Sequence, residues 1–216
     1  MAVIVRSFGD VPTTPPGLPD PTDHSVAWWN DEPAYYAWWC WLEGLDEEEQ
    51  ASSIVSYDLL ARYSEAVPTR SAVDSLRDLG PLIEVGAGAG YWARLLMDIG
   101  ADVIATDEVQ PEANGWYEGM TAWTEIQQVD ATDAVKRYSE RTIFACWPPR
   151  GNGYMTRVLR QTSQRTLALI TEGRPHIGSD PLYDELEGSW LLTEVVDLPH
   201  LPIPLRGLDS LMIWRR

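Results

Sequence analysis

The fifteen residues from Leu82 to Leu96, LIEVGAGAGYWARLL, constrain the fold more than any other stretch of this chain. Leu82, Ile83, Glu84 and Val85 suit a strand, and Trp92, Leu95, Leu96 and Ile99 then recur at helical spacing. Between them Gly86, Ala87, Gly88, Ala89 and Gly90 predict a tight turn. Glycines at alternate positions let the backbone turn sharply and let a ligand approach the main chain, because no Cβ intervenes. The helix after the turn directs its free N–H groups at the same spot.

A turn of this kind serves a dinucleotide, a nucleoside triphosphate or a nucleoside, and spacing separates the three. A dinucleotide fingerprint needs a third glycine three positions after the second, where this chain has Tyr91. A P-loop needs Lys and then Ser or Thr after its last glycine, and here Tyr91-Trp92 stands instead. Both phosphate readings weaken. What remains is Glu84 two positions ahead of Gly-x-Gly-x-Gly, which resembles motif I of the class I S-adenosylmethionine (SAM) dependent methyltransferases. The resemblance implies that Glu84, Gly86, Ala87, Gly88 and Gly90 hold the amino-acid end of SAM, a zwitterion carrying a sulfonium that needs no phosphate clamp.

Downstream residues extend the pattern. Asp102 to Thr106 predicts a second strand, and Asp107 comes next, 21 positions after Gly86. An acid at that strand end meets a ribose in nucleoside-binding βαβ units, and one carboxylate accepts hydrogen bonds from two vicinal hydroxyls. A third strand near Glu125 to Val129 ends in Asp130-Ala131. The resemblance places Asp130 on the adenine amino group and the Ala131 N–H on a ring nitrogen; Asp130 equally suits the N-cap of a helix from Ala131 to Tyr138. A fourth strand, Thr142 to Trp147, runs into Pro148-Pro149 and resembles motif IV of amino-directed methyltransferases, with Trp147 where an acid or amide is usual and Arg150 where an aromatic is usual. An indole N–H only donates, so base methylation is disfavoured. Trp147 and Pro148 are the expected wall of the acceptor site. A fifth strand, Thr166 to Thr171, brings Glu172 toward the same rim, where open α/β sheets bind ligands.

Composition narrows the partners. The formal net charge is -17, and Lys136 is the one lysine among sixteen basic residues. So acidic a surface repels phosphate backbones, which makes nucleic acid a poor partner. Two cysteines form no disulfide framework, and no signal peptide or membrane-length apolar run is present, so a cytoplasmic protein is expected. No metal is expected. His24, His176 and His200, all in loops, are the candidates for an acceptor base, with solvated loop histidines as the plainer reading.

The region ahead of the motif is outside the resemblance. Pro12, Pro15, Pro16, Pro19 and Pro21 predict an extended arm over 1–24. A helical cap is expected over 25–81. Its first helix begins near Pro33, with Tyr35, Trp38, Trp39 and Leu42 on one face. These rings either pack the helix onto the sheet domain or line an acceptor pocket as a lid. Asp46 with Glu49 reads as a capping box for a helix carrying Ile54, Leu59, Leu60 and Tyr63, and Thr69 caps another through Ala72, Val73 and Leu76.

Strands near 82, 102, 125, 142, 166, 190 and 210, with helices between the first five, predict a doubly wound α/β domain over 82–216. The resemblance implies a mostly parallel seven-stranded sheet of order 3-2-1-4-5-7-6. The activity it implies is transfer of the SAM methyl to an apolar or aromatic small-molecule or peptide acceptor. Two alternatives stay open: a protein carboxyl methyltransferase of the isoaspartyl type, suggested by Gly90-Tyr91, and a non-enzymatic SAM-fold module that binds a partner through the tryptophans.

Overall fold

The computed structural model describes residues 17–20, 23–115, 121–174, 177–201 and 207–216. Most of the proline-rich arm, the Trp116-Tyr117 loop, His176 and the Pro202 to Pro204 connection lie outside the described residues.

The chain opens with a two-residue ribbon, β1 (Trp28–Trp29) paired with β2 (Glu32–Pro33), and then α1 (Ala34–Leu42) and α2 (Glu47–Ser56). The predicted capping box starts α2: the Glu49 N–H donates to Asp46 Oδ1 at 2.9 Å and the Asp46 N–H to Glu49 Oε2 at 3.3 Å. The expected single helix through Tyr63 instead breaks at Asp58, which sits in the left-handed region with φ +52°. A separate turn of helix, α3 (Leu59–Arg62), comes after the break. Thr69 caps α4 (Arg70–Arg77) through its hydroxyl, as expected.

The sheet domain runs β3 (Leu82–Val85), α5 (Tyr91–Asp98), β4 (Val103–Asp107), β5 (Gln127–Gln128), α6 (Ala131–Arg137), β6 (Thr142–Cys146), α7 (Tyr154–Gln161), β7 (Thr166–Thr171), α8 (Asp180–Ser189), β8 (Leu191–Asp197) and β9 (Ser210–Arg215). Its strand order is β5-β4-β3-β6-β7-β9-β8. Numbered within the sheet, that is 3-2-1-4-5-7-6. The first five strands are parallel, while β9 runs antiparallel to both β7 and β8. The fold class is therefore the expected one. Helix α8 runs ten residues, supported by Pro181 in its first turn and by Leu182, Tyr183 and Leu186 on its buried side.

Alternation along the strands builds two cores. Leu82, Phe144, Ala168, Ile170 and Leu211 face the cap and α5, whereas Ile83, Val85, Ile143, Leu167 and Leu169 face α6, α7 and α8. Tyr35, Trp38, Leu42 and Leu59 of the cap are fully buried in the same cluster as Leu82 and Leu95. Polar tips fix the joint: the Tyr91 hydroxyl donates to the Ala27 carbonyl at 3.0 Å and accepts from the Tyr35 N–H at 3.1 Å. Tyr35 and Trp38 of α1 thus act as core, with Tyr36, Trp39 and Trp41 partly buried against it.

Candidate functional site

The turn after β3 is built as its glycines require. Gly86 and Gly90 have φ of +73° and +80°, a region that side chains with a Cβ rarely enter. The Gly86 and Ala87 N–H groups both donate to the Thr106 carbonyl, at 2.9 and 3.0 Å, and the Thr106 hydroxyl donates to the Glu84 carbonyl at 2.7 Å. These bonds fasten the turn to β4. A Cβ on Gly86 would stand 2.9 Å from the Tyr154 hydroxyl, so glycine is needed there for space as well as for backbone angle.

A cavity of about 240 Å³ opens over this turn at the carboxyl ends of β3, β4 and β6. Of the residues expected to hold SAM, Glu84, Gly86, Ala87, Gly88, Asp107, Asp130 and Ala131 line it. Gly90 does not; it serves as the N-cap of α5. Among the expected acceptor residues, Trp147 lines the cavity, and Pro148 and Glu172 do not. Pro148 is buried, with its carbonyl accepting from the Gly178 N–H at 3.0 Å, and Pro149 takes its place in the wall. Glu172 packs instead against Gly207, ahead of β9.

Glu84 is the most unusual group here. It is 1% exposed, and its Oε2 has no hydrogen-bond partner. Burial pushes its carboxyl up to about 8, against a smaller downward pull from the Ala93 N–H in the first turn of α5, while the nearby Asp107 pushes it further up. A buried acid in the cavity lining, with one oxygen lacking a hydrogen-bond partner, is suited to a cation. Asp107, at the end of β4, accepts from the Gly88 N–H at 2.9 Å and the Val109 N–H at 3.1 Å. A carboxylate has about four lone-pair sites, so capacity for a diol remains.

Asp130 caps α6, accepting from the Thr132 N–H at 2.8 Å and from the Thr132 hydroxyl. The Thr132 hydroxyl, then the Thr132 and Asp133 N–H groups and Arg157, hold its carboxyl below the usual range. Its helix-capping role is therefore realised, with the residue also at the cavity wall. Trp147 adopts φ +52°, an outlier for a bulky side chain, and its indole N–H donates to Asp209 Oδ1 at 2.6 Å. Asp209 is only 2% exposed, so the pair ties the end of β6 to the start of β9 from inside the fold.

Several lining residues carry no sequence signal. Tyr63, Ser64 and Glu65 reach the cavity from the cap, and Cys146, Asn152 and Tyr154 from β6 and α7. No residue of α1 lines it, so the lid reading of residues 25–45 gives way to packing. Burial, and after it the carboxylates of Glu84, Asp209 and Glu65, pushes the Cys146 thiol well above its ordinary value, which leaves it neutral and a poor nucleophile. Among the described residues, no group of three or more His, Cys, Asp or Glu is arranged to hold a metal ion, and no helix is long and apolar enough to cross a membrane.

No protein-family model matches the chain, and no curated protein sequence does either. Among solved structures it is similar to a protein of the NADB-Rossmann superfamily from Streptococcus agalactiae, at 15% identity and TM-score 0.45 over 67% of each chain. It is also similar to a Streptococcus pneumoniae protein assigned as a tRNA methyltransferase and solved with SAM, at 14% identity and TM-score 0.44, over 67% of this chain and 72% of that one. A third is a magnesium protoporphyrin IX methyltransferase from Synechocystis, also with SAM, at 11% identity and TM-score 0.45, over 84% and 90%. The strand order of this chain is the one expected from its sequence, and the glycine turn and the acid closing β4 stand where that reading placed them.

Proposed function

We propose that the cavity binds SAM and that the chain is a SAM-dependent methyltransferase. The observation that carries this reading is Glu84: a buried carboxyl with an unpartnered oxygen, set beneath a glycine turn and beside Asp107 in one cavity. A cation at Glu84 and a diol at Asp107 are two of the groups that SAM offers. The turn would take the amino-acid end, with Glu84 on the ammonium and the backbone of Gly86 to Gly88 along the chain; Asp107 would hold the ribose, and Asp130 and Ala131 the adenine.

When bound, SAM supplies a methyl group on a sulfonium, already a good leaving group. The protein's part is then orientation and exclusion of water. Trp147, fixed by Asp209, and the Tyr63 and Trp92 rings form the walls that would orient a flat, apolar or aromatic acceptor, either a small molecule or a peptide side chain. The neutral Cys146 thiol would not compete for the methyl.

A calorimetric titration with SAM and with S-adenosylhomocysteine tests the cofactor assignment directly. Expected is one site per chain; absence of heat with either ligand, confirmed by equilibrium dialysis, refutes it. Labelled-methyl incorporation into small-molecule, protein and nucleic-acid fractions of a cell extract then separates the acceptor classes. Label in the protein fraction as base-labile esters would favour the carboxyl methyltransferase reading. Binding without transfer in any fraction would favour the partner-binding module.

A further inference from the structure

Besides the residues assigned above to SAM, the cavity is lined by Tyr63, Ser64, Glu65, Trp92, Cys146 and Trp147 together with Pro149, Asn152 and Tyr154. Among the described residues no Lys, Arg or His lines the cavity, while Glu65 does, and Asp209 accepts from the indole N–H of Trp147. Glu65 is held in place through its neighbour. The Ser64 hydroxyl accepts from the Trp92 indole N–H at 3.0 Å and donates to the Ala66 carbonyl at 2.6 Å, which pins the Tyr63 to Ala66 turn onto α5. Both Glu65 and Asp209 act electrostatically on Cys146 at the cavity wall, and the Ser64 hydroxyl bonds the same thiol. Three cap residues and the end of β6 therefore share one small space. Aromatic faces beside carboxylates attract positive charge and repel negative charge.

Resting on the SAM reading above, we infer that the acceptor is an amine, recognised by Glu65 and the indole of Trp147, and that anionic acceptors are excluded. The new N–C bond would form from the nitrogen lone pair as the C–S bond breaks, its electron pair staying on sulfur to leave S-adenosylhomocysteine. The acceptor binds as an ammonium, which has no lone pair, so one proton passes to the Glu65 carboxylate or to water before the bond forms, and the methylated product is again an ammonium. A site that merely accepted flat apolar molecules would need no carboxylate at Glu65.

The test uses the full chain saturated with S-adenosylhomocysteine, whose own binding is measured first. Three probes of similar shape are then titrated against it by tryptophan fluorescence and calorimetry: 2-phenylethylamine, 2-phenylethanol and 3-phenylpropanoate. Expected is at least a ten-fold preference for the amine over the carboxylate, falling below three-fold in Glu65→Gln and unchanged in Glu48→Gln, an exposed acid on α2. Retained S-adenosylhomocysteine affinity shows that Glu65→Gln is folded. If that variant does not fold, the wild-type preference decides alone. S-adenosylhomocysteine binding with no preference for the amine overturns this inference and leaves the cofactor reading standing. A preference that survives Glu65→Gln overturns the assignment to that residue. Failure to bind S-adenosylhomocysteine refutes both readings.

Discussion

Replacing Glu84 with Gln separates a residue kept for binding from one kept for stability. In the folded chain burial raises the Glu84 carboxyl from 4.5 to about 8. Between those values the folded protein keeps a proton that the unfolded chain releases, so Glu84 makes stability fall as pH rises, by ~1.4 kcal/mol per unit where the difference is a full proton. Below the unfolded value both states are protonated and the effect vanishes. Glutamine has the same shape, still accepts from the Ala93 N–H and does not ionise. Any constant cost of its unpaired amide cancels when two pH values are compared. Glu84→Gln should therefore gain ~3–4 kcal/mol relative to wild type between pH 5 and pH 8.

Urea unfolding of both proteins at pH 5, 6, 7 and 8 measures this, and parallel curves, differing by a constant, would refute the buried-acid argument. The binding arm runs the other way. An ammonium placed at Glu84 Oε2 drives the carboxyl to ionise, so SAM binding at pH 7 should release close to one proton in wild type, read from calorimetry in two buffers of different ionisation heat. The variant should release none and bind ~10–100-fold more weakly, the equivalent of one hydrogen bond to a charged group. Equal affinity would mean that Glu84 is only a buried acid and that the ammonium sits elsewhere.

The remaining predictions concern the other two anchors. Asp107→Ala should weaken SAM by ~1.5–3 kcal/mol through loss of the ribose contacts, and it also releases the Gly88 and Val109 N–H groups; a loss of only a few tenths in a titration would reduce Asp107 to a turn residue. Gly86→Val places a side chain 2.9 Å from the Tyr154 hydroxyl at φ +73°, so SAM binding should be abolished and stability should fall by ~1–3 kcal/mol. Tyr154→Phe in that background should recover part of the stability and none of the binding; recovered binding would show that the turn itself does not hold the ligand.

The sheet was legible because β3, β4, β6 and β7 are short, largely apolar runs, and because the glycine turn marks where β3 stops. Glu84, Asp107 and Asp130, at or near the carboxyl ends of strands, do line the cavity, as the sequence suggests. Boundaries failed where side-chain chemistry outweighed pattern. Asp58 interrupts a run that looks continuously helical, since an aspartate tolerates the left-handed region better than its neighbours. Sequence adjacency points Pro148 and Glu172 at the cavity, but consecutive residues leave a strand in different directions, and the positive φ of Trp147 redirects the chain from Pro148 onward.

The cap was the least legible part, and the reason is physical. Its tryptophans announce a large buried area without saying against what. In the structure Trp38 donates its indole N–H to the Pro19 carbonyl and Trp39 to the His200 carbonyl, and from the sheet domain Trp123 donates to the Arg62 carbonyl of the cap, so each ring fills a seam while its polar edge closes a backbone acceptor. That use of tryptophan turns the cap into part of the core, and the aromatic stretch that looked like a lid holds up another segment, Tyr63 to Glu65, which reaches the cavity. Tyr91 links the two ends of this arrangement. Its ring borders the cavity directly after the glycine turn, and its hydroxyl holds the backbone of Ala27 and Tyr35. Tyr91 also meets the ring of Tyr63 edge-on, with centroids 5.0 Å apart, so the residue that follows the glycine turn packs on the segment by which the cap reaches the cavity.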